Sequence, residues 1–166
     1  LVGGKTKPTD NDGLYTGMAG VGSFLRMIES GRDNFDLIKK FEDGMGMLMD
    51  ISGFQGVIAR SYINRDDPSV SNEMMCNLTA GQRHCWRHSP VYPEKIYLND
   101  CSSDEIVGHV FFHSAVCLLQ SSKNLNEISD ISKRRLDELL TDIVKNNFTL
   151  LDERGLTTTW GKMEFY

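Results

Sequence analysis

The chain has 166 residues, enough for one domain with a real core, and its 40% hydrophobic and 25% charged composition is that of a soluble globular protein. A net charge of -5 without a Lys/Arg run argues against nucleic acid and against an anionic membrane surface. The longest apolar run, 106–119, is interrupted by Gly108, His109, His113 and Ser114 and is shorter than the roughly 20 residues a bilayer needs, so no membrane span is expected.

Residues 1–11 read as an extended entry. A first helix is predicted from about Gly13 to Ser30, with Asp12 as its N-cap and Leu14, Met18, Val21, Leu25 and Ile28 at helical spacing. Gly17 and Gly20 lie inside it. Glycine costs a helix about 1 kcal/mol relative to alanine, so another helix is expected to pass close by. After a break at "SGRDN", a second helix runs from about Asn34 to Ile51, with Phe35, Ile38, Phe41, Met45, Leu48 and Met49 inward and Gly53 placed to stop it. The methionines of "GMGMLMD" read as helix packing.

"FQGVIARSYIN" is extended in character. Residues 65–100 then read as a long irregular excursion holding three of the four prolines, ordered by its aromatics and two cysteines. A third helix starts near Ser103, where Ser102 and Glu105 have capping-box spacing, and ends near Gln120. A fourth spans about Ile128 to Asn146. The period then changes from helical to alternating, and "TLLD", "ERG" and "TTTW" read as a small β-hairpin. The fold class expected is all-α, a pair of helical hairpins with a C-terminal β-hairpin.

The four cysteines, Cys76, Cys85, Cys101 and Cys117, do not have zinc-ribbon or redox spacing. Cys76–Cys85 would close a short local loop. Cys101–Cys117 is the remaining pair of that scheme, with Cys117 as a buried free thiol its rival. Sequons begin at Asn77 and Asn147, and together with the even cysteine count they point to a secreted, oxidising setting.

Five side-chain groups carry candidate chemistry. Asp12 precedes the first helix, and Asp104 and Glu105 open the third. Paired carboxylates suit glycoside hydrolysis, but acids in a first helical turn also serve as caps and dipole partners. His109 and His113 stand four apart without the HExxH pattern of zincins, so no metal is assigned to them. Burial of His109 and a supporting proton-transfer role beside Asp104 and Glu105 both stand open. Arg60 and Tyr62 could meet a substrate. Trp86, in "RHCWRH" with Arg83, Arg87, His84 and His88, is a sugar-acid contact or a core residue. Trp160 is a sugar platform or a hairpin clasp. No P-loop, GxGxxG or GxSxG motif occurs.

"DNDGLYTGMAGVGSFLR", "FQGVIARSYI", "SSDEIVGHVFF" and "LLDERGLTTTWG" together resemble a segment of bacterial and secreted proteins of the six-hairpin glycosidase-like kind, over Asp10 to Gly161. That resemblance implies part of an α/α toroid, akin to glycoside hydrolases and polysaccharide lyases, with the first and third helices as inner helices opening at one end. Such relatives carry Asp-Thr-Ser-Ser-Asp where this chain has Asp100-Cys101-Ser102-Ser103-Asp104, which implies a lineage-specific pairing for Cys101. Two hairpins do not close a toroid, so the resemblance also implies self-association or further chain segments completing it. The expected activity is acid–base chemistry on a glycan or polysaccharide by Asp12, Asp104 and Glu105 with His109 in support. The alternative is a non-catalytic extracellular structural or glycan-binding module. No cofactor is expected beyond calcium, for which "DND" and "DCSSD" offer oxygens.

Overall fold

The computed structural model describes residues 11–32, 34–77, 82–119 and 126–163. Four helices dominate: α1 (Asp12–Ser30), α2 (Phe35–Asp50), α3 (Ser103–Leu119) and α4 (Asn126–Lys145). The first helix starts one residue earlier than its pattern suggested. Asn11 occupies the cap position, and Asp12 is already helical. Gly31 ends α1 in the left-handed conformation, φ 66°, that glycine adopts without strain. Two helical hairpins result, α1–α2 and α3–α4.

All-α is too narrow a description. The excursion at 65–100 contributes two short strands to an antiparallel sheet of β1 (Ser61–Asn64), β2 (Trp86–His88) and β3 (Lys95–Leu98), in the order β1-β3-β2. Tyr97 is the partner of both Tyr62 and Arg87 in this register. Strands of three and four residues leave too little alternation to detect. The Cys76–Cys85 disulfide, Cα–Cα 5.0 Å, ties the loop to β2, and a bridge from Met75 to Trp86 extends the pairing. A second antiparallel pair, β4 (Thr149–Leu151) and β5 (Thr157–Lys162), is the expected C-terminal hairpin. Its turn is organised by Asp152, whose carboxylate accepts N–H bonds from Arg154 and Leu156, and by Gly155 at φ 73°.

The main core lies between the four helices. Val21, Phe24, Met27, Ile38, Met45, Leu48, Phe112, Val116, Ile128, Leu139 and Ile143 are buried there. A small second cluster of Trp86, Ile96 and Leu98 sits beneath the sheet.

The glycines of α1 do what their cost predicted. Gly13 meets Glu105, Gly17 meets Gly108 and Gly20 meets Phe112, in the same order along both helices. The helices α1 and α3 are therefore parallel, with their N-termini at the same end. A Cβ on Gly17 would stand 2.3 Å from the Gly108 carbonyl oxygen, and one on Gly108 would stand 2.3 Å from the Gly13 oxygen. Only glycine permits this backbone contact.

Among the described residues, no helix is long and apolar enough to cross a membrane.

Candidate functional site

Arg60 stands where the two helix N-termini meet the sheet. Its carbonyl accepts the Asp12 N–H, and its own N–H donates to Leu98. The guanidinium is buried. It pairs with Glu105 at 3.4 Å and donates to the Asp100 carbonyl at 3.2 Å. Next to it the Ser61 hydroxyl donates to the Asp12 carboxylate at 2.5 Å. Asp12 thus fastens α1 to β1.

Glu105 completes half of the capping box. It accepts the Ser102 N–H at 2.7 Å and a very short bond from the Ser102 hydroxyl. Burial pushes its carboxyl above the ordinary range, against the opposing pull of Ser102 and Arg60. Glu105 is a structural anchor without access to solvent.

Asp100 places the second wall. It has a left-handed backbone, φ 69°, a conformation that aspartate tolerates better than most residues. Its carboxylate accepts both the N–H and the hydroxyl of Thr159 at 2.7 Å. This clamp holds β5 against the start of α3 and sets the next residue, Trp160, over Arg60 at 5.5 Å from guanidinium carbon to ring centroid. The indole stays 57% exposed, more than core packing would leave. Together Arg60, Ser102, Ser103, Asp104 and Trp160 line an open cavity of about 290 Å³. Asp104 is exposed there.

The other predicted residues lie elsewhere. Asp12 and Tyr62 line a separate cavity between α1 and α2, with Thr16 and Lys40. Burial and the nearby Asp12 and Asp43 raise the Tyr62 hydroxyl above its ordinary pKa. Trp86 is only 3% exposed and is a core residue, so it offers no substrate platform. His84 and His88 are exposed, and Arg87 pairs with Glu153.

His109 is not a proton carrier for the acids. It is wholly buried, and burial, with His113 and Arg135 nearby, lowers its pKa to about 3. Neither ring nitrogen has a hydrogen-bond partner among the described residues. Asp104 and His109 are five residues apart, about 140° around the helix, so one faces water while the other faces the core.

A Cys101–Cys117 disulfide does not form. Both residues are free thiols, Cys101 buried and Cys117 half-buried. Cys101 precedes α3 and Cys117 lies near its end, so the 14 helical steps from Ser103 to Cys117 alone span roughly 21 Å, beyond disulfide reach. Burial and the adjacent Glu105 raise the Cys101 thiol well above its usual pKa.

One polar network escaped the sequence reading. Glu42 of α2 accepts the Ser132 hydroxyl at 2.5 Å and pairs with His113 at 3.3 Å and Arg135 at 3.3 Å. Arg135 reaches on to Asp50 at 3.0 Å. Serine, histidine and glutamate adjoin as in a nucleophile relay, but all three are buried, so the group is a staple between α2, α3 and α4. The methionines of α2 pack in the core, as read.

Asn77 and Asn147 are both exposed. Thr79 of the first sequon lies outside the described residues, as does Asp10 of "DND". Among the described residues no three His, Cys, Asp or Glu side chains gather as a metal site would require. Comparison of the chain with protein-family models, with curated proteins and with solved structures gives no match.

Proposed function

We propose that the chain is an extracellular carbohydrate-binding module built on an arc of an α/α toroid, and that it holds a sugar ring at the cavity where α3 begins. The observation that carries this reading is the exposed Trp160 indole, backed by Arg60 and set beside Asp104. An indole face takes the C–H face of a pyranose, while aspartate and serine at its edge accept and donate to ring hydroxyls. Two helical hairpins joined by parallel, glycine-contacting first helices support the toroid arc. The Cys76–Cys85 disulfide and the exposed sequon asparagines are compatible with a secreted protein.

Binding is favoured over hydrolysis by the count of carboxylates. Glycoside hydrolysis needs two, about 5–10 Å apart across the scissile bond. Asp104 is the acid that lines this cavity. Asp12 lines another cavity, and Glu105 is enclosed by Arg60 and Ser102.

The test is a glycan array probed with the wild-type chain and Trp160→Ala, beside a reducing-end assay on every glycan bound. The reading expects binding that Trp160→Ala abolishes, without release of new reducing ends. Turnover abolished by Asp104→Asn would replace it with the enzyme reading. Retention of full binding by Trp160→Ala would remove the cavity from the account.

A further inference from the structure

The cavity beside Trp160 has a sign. Arg60 is the one cation that lines it among the described residues. Its guanidinium is not offered to a ligand. The residue is 4% exposed, pairs with Glu105 at 3.4 Å, donates to the Asp100 carbonyl at 3.2 Å and faces the Trp160 ring at 5.5 Å. Around it stand carboxylates that are equally committed. Glu105 is held by Ser102, Asp100 is clamped on Thr159, and Asp12 takes the Ser61 hydroxyl. Asp104 differs from these three. It lines the cavity, it is exposed, and no hydrogen bond or ion pair engages its carboxylate among the described residues.

Two positive contributions oppose this field, and neither reverses it. The N-terminus of α3 carries about half a positive charge. Asp104 and Glu105 stand in that same first turn and outweigh it. Lys162, two residues beyond Trp160 on β5, lines the neighbouring apolar groove and not this cavity.

Ligand charge therefore decides the fit. A uronate brings an anion against Asp104. It reaches Arg60 only by displacing Glu105, which strands a buried carboxylate. A neutral hydroxyl makes an ordinary hydrogen bond to Asp104, and an ammonium group makes a charge-assisted one.

We infer that the cavity selects sugars by charge, taking a hexosamine with a free amine ahead of a neutral hexose, and a neutral hexose ahead of a uronate. The inference rests on the reading that Trp160 holds a sugar ring. The ring stacks on the indole face turned from Arg60, and the ammonium lies at the ring edge against Asp104. Arg60 already draws on the indole π-system, so the carboxylate is the stronger partner for a second cation. The contact is open to water, so its effect is that of an exposed ion pair, about two- to fivefold in affinity and screened by salt.

Matched neutral, 2-amino and uronate oligosaccharides of the gluco, galacto and manno series, titrated calorimetrically into the wild-type chain at about pH 6 and low salt, test it. In the series that binds, the amino sugar is expected to bind about two- to fivefold more tightly than the neutral one, and the uronate more weakly by a similar factor. Both differences are expected to shrink at about 0.5 M salt. Asp104→Asn removes the charge and keeps the size, so the amino-to-neutral ratio is expected to fall to about one. Glu29→Gln, exposed near the other end of α1, changes the net charge equally and is expected to leave that ratio in place. Equal affinity for the three forms, tightest binding of the uronate, or loss of the ratio in Glu29→Gln as in Asp104→Asn overturns the charge selection and leaves sugar binding standing. Absence of binding in every series overturns both.

Discussion

Arg60 and Glu105 form an ion pair at 3.4 Å, closed to solvent, at the point where β1 meets the N-termini of α1 and α3. Removing one partner leaves the other charge buried, at a cost of about 3–5 kcal/mol. Arg60→Met is therefore expected to lower stability by that amount in urea unfolding. The double change Arg60→Met/Glu105→Leu is expected to recover most of it, because apolar replacement of both members removes the stranded charge. Equal losses in the single and double variants would show that the pair is not coupled.

His109 makes stability depend on pH. Its folded pKa is about 3, against about 6.5 when exposed. Between those values the unfolded chain binds a proton that the folded chain refuses, so stability falls as pH drops below about 6.5. This single group contributes a slope of about 1.4 kcal/mol per pH unit within that window. His109→Met is expected to flatten the profile by one proton, read as the difference between wild-type and variant unfolding free energies at pH 7 and pH 5. Parallel profiles would mean that His109 titrates alike in both states.

The contact between Gly17 and Gly108 leaves no room for a methyl group. Gly17→Ala is expected to cost about 1–3 kcal/mol by overpacking, although alanine favours a free helix. Gly22→Ala, on the open face, is expected to raise the melting temperature of the monomer. The two changes have the same propensity gain and opposite surroundings, so melting curves of the pair separate packing from propensity.

Glu42 is the hub of the buried staple. Glu42→Ala removes the acceptor for Ser132 and the counter-charge for Arg135, and is expected to cost about 3–5 kcal/mol. Asp50→Ala, which removes an exposed partner of the same arginine, is expected to cost under about 1 kcal/mol. Comparable losses from both would contradict the assignment of the buried end as the stabilising one.

The helices were legible because amphipathic spacing and punctuation agreed. The internal glycines pointed to a closely packed neighbouring helix, which is α3. The sheet was legible only in the extended run that holds β1, because β2 and β3 are too short for a period to emerge and lie among prolines and a disulfide loop. Asp104, Arg60 and Trp160 were named from the sequence as separate candidates. Their union depends on the Asp100 clamp on Thr159, a link across 59 residues that no local pattern contains. Glu42, Ser132 and Arg135 are polar positions of α2 and α4 that no local motif marks. Only the packing of three helices turns them toward one another. His109 misled through spacing: proximity in sequence to Asp104 hides the turn of the helix between them.

The central claim, that Trp160 is a sugar-ring platform, is tested most directly by the indole N–H signals of the labelled protein. There are two tryptophans, so Trp160 reports the cavity and Trp86 serves as the internal control. Titration with a panel of neutral and uronic-acid oligosaccharides is predicted to shift the Trp160 signal to saturation for at least one of them and to leave Trp86 unmoved. A Trp160 signal that stays fixed across the panel, or a shift confined to Trp86, would contradict the account.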